Sequence, residues 1–113
     1  MIEKIYADYA WEQAAQLLSI DSPSGYTAKA ARWVKEAFEN LGFDAKITVK
    51  GGVLVDLGGL DEKDGLFLEA HVDTLGAMVA EVKGNGRLRL TPLGGMNANN
   101  GEAENVRVYT RCG

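Results

Sequence analysis

The chain has 113 residues, 46% apolar and 25% charged, the composition of one small folded domain rather than a disordered tract. Its 12 Lys and Arg stand against 16 Asp and Glu, a net charge of −4 with no basic cluster, which argues against nucleic acid as a partner. No stretch approaches the roughly 20 apolar residues of a membrane span, the N-terminus lacks a leader's basic-then-apolar order, and a single cysteine cannot close an internal disulfide.

The cytoplasm is therefore the expected location, and Cys112 reads as an incidental thiol. Ile2, Ile5, Tyr6, Tyr9, Ala10, Ala14, Leu17 and Leu18 have the spacing of one helix face. Turn formers then crowd Ser19–Gly25. A second helix is expected from about Thr27 to Leu41, with Ala30, Val34, Phe38 and Leu41 as its buried stripe and Gly42 as a left-handed C-cap. Trp11 and Trp33, one on each helix, read as partly buried packing residues.

After Gly42 the period changes. Phe43–Val49 alternates weakly, Gly51-Gly52 marks a turn, and Val53–Leu57 and Leu66–Ala70 are apolar runs expected as strands. Near-continuous apolar strands suit a sheet covered on both faces, whereas two helices readily cover only one. Further on, Ala77–Val82 and Arg87–Leu90 flank Lys83-Gly-Asn-Gly86, whose Asn-Gly pair suits a hairpin. Arg87 and Arg89 alternate with Leu88 and Leu90, which leaves one side solvated. A polar loop over Asn97–Gly101 precedes a last expected strand, Val106–Thr110.

Between the apolar run and the hairpin lies the segment with chemistry. Gly65–Asp73 ends in an imidazole, His71, and two residues later a carboxylate, Asp73. Strand ends hold reactive side chains well, because the ladder fixes the backbone while the side chain faces a crevice. A metal-binding histidine needs a partner for its second ring nitrogen, usually a carboxylate. In extended chain, residues two apart face the same side, so Asp73 can be that partner. His71 is the only histidine. Asp21, Asp56 and Glu69 are nearby carboxylates, but they read respectively as a turn-capping loop residue, a strand-edge charge and a residue facing away.

Taken in order, Leu18-Ser-Ile-Asp-Ser-Pro-Ser-Gly25, Ala70-His-Val-Asp-Thr-Leu-Gly-Ala-Met-Val79, Asn85-Gly-Arg-Leu-Arg-Leu90, Leu93-Gly-Gly95 and Glu104-Asn-Val-Arg-Val-Tyr-Thr-Arg111 form a specific series. With it, the chain resembles the N-terminal third of the M42-family metallo-aminopeptidases, the group of glutamyl aminopeptidases and TET-like peptidases. The resemblance implies a cytoplasmic exopeptidase that removes N-terminal residues from peptides with two divalent metal ions, zinc or cobalt. It implies that His71 is the first metal ligand and Asp73 the catalytic-site carboxylate that orients its ring. It also implies homo-oligomers and a barrel-like domain inserted directly after the His-x-Asp segment. Relatives often carry an acidic residue where this chain has Thr74. Their bridging Asp, general-base Glu, remaining carboxylate ligand and second His come later in the chain.

The expected architecture is α/β. Residues 1–74 are two N-terminal helices packed on a mixed β-sheet, a partial zinc-peptidase-like catalytic domain, and residues 75–113 are the first strands of an inserted β-rich domain. One histidine and an orienting carboxylate fall short of the roughly three protein ligands of a catalytic zinc, so the 113-residue chain alone is expected to be inactive. Two alternatives stand beside the peptidase: a cellulase-type activity of the same family, which needs two carboxyls flanking the glycosidic bond, and a non-catalytic, self-associating fragment.

Overall fold

A computed structural model describes residues 2–61 and 63–112. They divide into two compact units, Met1–Thr74 and Leu75–Gly113. The α/β character expected from the sequence is present, as two helices and two antiparallel hairpins.

In the first unit, α1 spans Ile2–Leu18 and α2 spans Ala28–Asn40. The periodic pattern therefore located α1, but not the fate of its apolar face. Ile5, Tyr6, Tyr9 and Leu18 are exposed, as is Trp11 at 80%, and Leu17 is the one apolar side chain of α1 even half-buried among the described residues. The packing role expected of Trp11 is corrected accordingly; Trp33 is half-buried as expected.

α2 is the organising helix. Ala30 and Ala31 are buried beneath it, and Val34 and Phe38 are half-buried. Leu41, expected to complete this stripe, is exposed, because it is the C-cap, where the chain leaves the helix. The termination follows the glycine. Gly42 has φ +90°, its N–H donates to the Glu39 carbonyl at 2.9 Å, and the Phe43 N–H donates to the Phe38 carbonyl at 3.1 Å. That pair of bonds is the Schellman closure, which satisfies carbonyls the helix would otherwise leave open.

α2 packs on a short hairpin. Its strands are β1, Ala45–Ile47, and β2, Val53–Val55, in register Ala45↔Val55, Lys46↔Leu54 and Ile47↔Val53. Ala45 is buried against the helix side. The small side chains of Ala30, Ala31 and Ala45 let helix and hairpin backbones approach closely. The reversal is closed by the Thr48 N–H to the Gly52 carbonyl at 2.8 Å and the Gly51 N–H to the Thr48 carbonyl at 2.9 Å.

The expected strand Leu66–Ala70 is a correction. The segment has no ladder partner among the described residues, and Leu66, Phe67 and Leu68 are 85%, 73% and 75% exposed. Instead of one mixed sheet, the described strands form two separate two-stranded antiparallel sheets, and the parallel pairing is a single bridge between Pro23 and Thr74. An apolar run reports what a segment is able to bury; a strand needs a hydrogen-bonded neighbour as well.

In the second unit, β3, Gly76–Val82, pairs with β4, Leu88–Leu93, with a bulge between Val79 and Glu81. The Asn-Gly turn closes as expected: the Lys83 N–H donates to the Arg87 carbonyl at 2.8 Å, and the Arg87 N–H donates to Asn85 Oδ1 at 3.1 Å. Arg89 Nε donates to Glu81 Oε2 across the strands at 2.8 Å. A 3₁₀ turn follows at Ala98–Gly101, capped by Asn97. The expected strand Val106–Thr110 is not formed; its residues are exposed and belong to neither sheet. Cys112 is an exposed free thiol.

The Gly42 closure is testable. A Cβ at Gly42 meets nothing within 4 Å, so the cost of Gly42→Ala is backbone strain alone. Urea denaturation followed by helical circular dichroism should show a loss of about 1–2 kcal/mol for Gly42→Ala. Gly65→Ala, equally open but without a positive φ, should change stability by less than about 0.5 kcal/mol.

Candidate functional site

The site lies where the loop after α1 meets the end of the Gly65–Asp73 run, wholly within the first unit. Three hydrogen bonds clip the two stretches together. Ser22, 1% exposed, donates its hydroxyl to the Val72 carbonyl at 2.9 Å. The Thr74 N–H donates to the Ser22 carbonyl at 2.9 Å. Ser24 donates its hydroxyl to Asp73 Oδ2 at 2.6 Å. A buried hydroxyl must find an acceptor or lose its hydration without return, and Ser22 finds one in the backbone between His71 and Asp73.

His71 and Asp73 are in direct contact. His71 Nδ1 lies 3.1 Å from Asp73 Oδ1 and 3.2 Å from the Asp73 carbonyl oxygen. Carboxylate and carbonyl oxygens only accept, so Nδ1 is the donor, and in the neutral ring the lone pair then belongs to Nε2. The His71 side chain is 85% exposed and that of Asp73 is 42% exposed. The imidazole is therefore presented to its surroundings rather than packed inward. Both residues line an open depression of about 390 Å³ together with Ser24, Thr27, Val34 and the Lys50–Gly52 turn.

Asp73 is held below the usual carboxylate range. The Ser24 hydrogen bond is the main cause; desolvation opposes it, and the His71 hydrogen bond and charge assist. All the favourable contacts act on the ionised form, which is why they lower rather than raise the pKa.

The other nearby carboxylates do not join this pair. Asp56 lies just past β2, where Oδ1 accepts the Gly58 N–H at 2.8 Å in a tight turn. Asp21 is half-buried in the loop and Glu69 is exposed on the Gly65–Asp73 run. Among the described residues no three His, Cys, Asp or Glu side chains gather into a metal cage. The donor set thus fits one coordination bond, from Nε2, and does not fit a complete site of about three protein ligands. Ser22 and Ser24 are the site residues that sequence reasoning missed. They stood within a turn-rich loop and within the Leu18–Gly25 motif, but with no role of their own, because pairings 49 and 50 residues apart leave no local pattern.

The Asp73 shift has a definite pH consequence. A carboxyl whose folded pKa is depressed binds protons more weakly when folded. Its stabilisation is complete above the unfolded pKa and is lost as pH falls through the folded one. A ¹³C titration of the Asp73 carboxyl should place its midpoint below that of an unstructured aspartate, and Ser24→Ala should move it upward. An unshifted midpoint would contradict the clip.

The sequence model of the family described as M42 glutamyl aminopeptidase matches residues 51–113, more than half of the chain. YhfE of Bacillus subtilis is 36% identical over 102 residues, covering 90% of this chain and 30% of its own length. A glutamyl aminopeptidase of Lactococcus lactis subsp. cremoris is 26% identical over 104 residues, covering 91% and 29%. A lysyl aminopeptidase of Pyrococcus furiosus is 28% identical over 104 residues, covering 91% and 30%. The chain thus spans just under a third of the length of the curated relatives it matches. On the match over residues 51–113, which includes the His71–Asp73 pair, the chain belongs to the M42 glutamyl aminopeptidase family.

Proposed function

We propose that this chain contributes one metal ligand, His71, and its orienting carboxylate, Asp73, to a dinuclear metal-dependent aminopeptidase that releases N-terminal residues from peptides. The observation that carries the reading is the His71 Nδ1 contact to Asp73 at 3.1 Å, which leaves Nε2 with its lone pair on an exposed ring. That is the carboxylate–histidine arrangement a metal ligand uses. The relatives named as glutamyl and lysyl aminopeptidases support peptide rather than polysaccharide as the substrate class.

In this reading Asp73 holds a proton on Nδ1 and fixes the ring plane, and it does not itself touch substrate. The two ions, zinc or cobalt, supply an activated water and a polarised peptide carbonyl when bound. The remaining ligands and the general base come from outside the described residues. Leu66–Leu68 then find their partner strand in a mixed sheet, residues 75–113 open an inserted β domain, and the complete protein works in the cytoplasm as a homo-oligomer.

A second reading draws on a different observation. Trp11 and Leu60 are largely exposed, and Leu66, Phe67 and Leu68 form a consecutive apolar run that is largely exposed as well, the kind of uncovered surface that marks an interaction site. Such a chain alone is a self-associating, non-catalytic fragment. The two readings are compatible, because the first concerns the complete protein.

Two assays decide. The homogeneous 113-residue chain, loaded with zinc or cobalt, should not turn over amino-acid p-nitroanilides, and sedimentation should show self-association that rises with concentration. Turnover by the chain alone, or a clean monomer, would count against the respective reading. In the full-length protein carrying this sequence, His71→Ala should abolish most aminopeptidase activity, and Asp73→Asn should reduce metal affinity or activity about 10–100-fold. Full activity in His71→Ala would end the proposal.

A further inference from the structure

Ser24 lies in neither helix nor strand, and it is exposed, yet its hydroxyl makes the shortest contact to Asp73, 2.6 Å to Oδ2. That length is typical of a hydroxyl bound to an ionised carboxylate. The opposite oxygen, Oδ1, meets His71 Nδ1 at 3.1 Å. A carboxylate is planar, so pinning one oxygen places the other. Left alone, the terminal torsion of an aspartate is broad, and water at an exposed site competes for both oxygens.

The backbone on either side is already anchored by Ser22, through its hydroxyl on Val72 and its carbonyl on Thr74. These bonds set where the Asp73 main chain runs but not how its carboxylate turns. Ser24 supplies that missing constraint. We propose that Ser24 is a positioning residue: by locking the Asp73 carboxylate it keeps the His71 proton on Nδ1 and the lone pair on Nε2. The usefulness of this arrangement rests on His71 being a metal ligand, but the tautomer itself is a property of the chain whether or not that reading holds.

The single histidine makes the test clean. In the ¹⁵N-labelled 113-residue chain, long-range ¹H–¹⁵N correlations of the neutral imidazole should show Nδ1 protonated and Nε2 bare. In Ser24→Ala the ratio of Nδ1–H to Nε2–H should fall roughly 3–10-fold, the scale of one partly exposed hydrogen bond. Ser24→Thr, which keeps the hydroxyl, should restore it to within about twofold of wild type. Backbone amide shifts of α2 and the β1–β2 hairpin report folding in each variant.

A purely structural serine would leave the ratio unchanged in any folded variant. A wild type whose neutral ring is mainly Nε2–H overturns the proposal without recourse to variants. So does a folded Ser24→Ala that keeps the wild-type ratio, or a folded Ser24→Thr that loses it. Absence of peptidase turnover in the full-length protein would defeat the aminopeptidase reading and leave this ratio where it is.

Discussion

A histidine on an exposed stretch of chain points where its neighbours hold it, and here they hold it through a clip between two distant segments. The loop Ser22–Ser24 grips Val72–Thr74 by one buried hydroxyl, one backbone bond and one hydroxyl on a carboxylate. The Gly65–Asp73 run has no ladder partner among the described residues, so this clip takes over the task a strand neighbour performs elsewhere. Everything proposed for His71 depends on it. The ring nitrogen that faces Asp73 is fixed by acceptor-only partners, and chemistry then falls to the other nitrogen.

The helix–hairpin unit serves that clip by setting where its loop ends. α2 starts at Ala28, after Thr27 as N-cap, four residues beyond Ser24, and is stopped by the Gly42 closure. Ala30, Ala31 and Ala45 form a small, tightly approached core between α2 and β1. Such a core holds geometry locally but removes little apolar area from water, and burial stabilises in proportion to area. The exposed Leu66–Leu68 run, next to the site in sequence, has the opposite character: much apolar area and nothing described against it. A working catalytic domain that covered this run would bury it and stiffen the backbone leading into His71 at the same time.

How much of this was legible in the sequence follows from the range of each interaction. α1, α2 and the Asn85-Gly86 reversal rest on contacts within a few residues, so periodicity and turn chemistry located them. The Gly42 cap was legible for the same reason. Leu41 was not, because a stripe extrapolated through a C-cap ignores the change of direction there. Leu66–Ala70 and Val106–Thr110 have strand-like composition, but pairing is a property of two segments and cannot be read from one. His71 and Asp73 were found because extended chain brings residues two apart to one side. Ser22 and Ser24 escaped because their partners lie 50 and 49 residues away. The resemblance to M42 peptidases was carried by ordered motifs along the chain, and the match over residues 51–113 bears it out.

The central claim is that His71 presents Nε2 to a metal ion while Asp73 secures Nδ1. Anomalous diffraction from crystals of the full-length protein, grown with zinc or cobalt, tests it most directly. The account predicts an ion within coordination distance of His71 Nε2, with the Asp73 carboxylate still on Nδ1. An ion bound through Nδ1, or a fully occupied metal pair from which His71 is turned away, would contradict it.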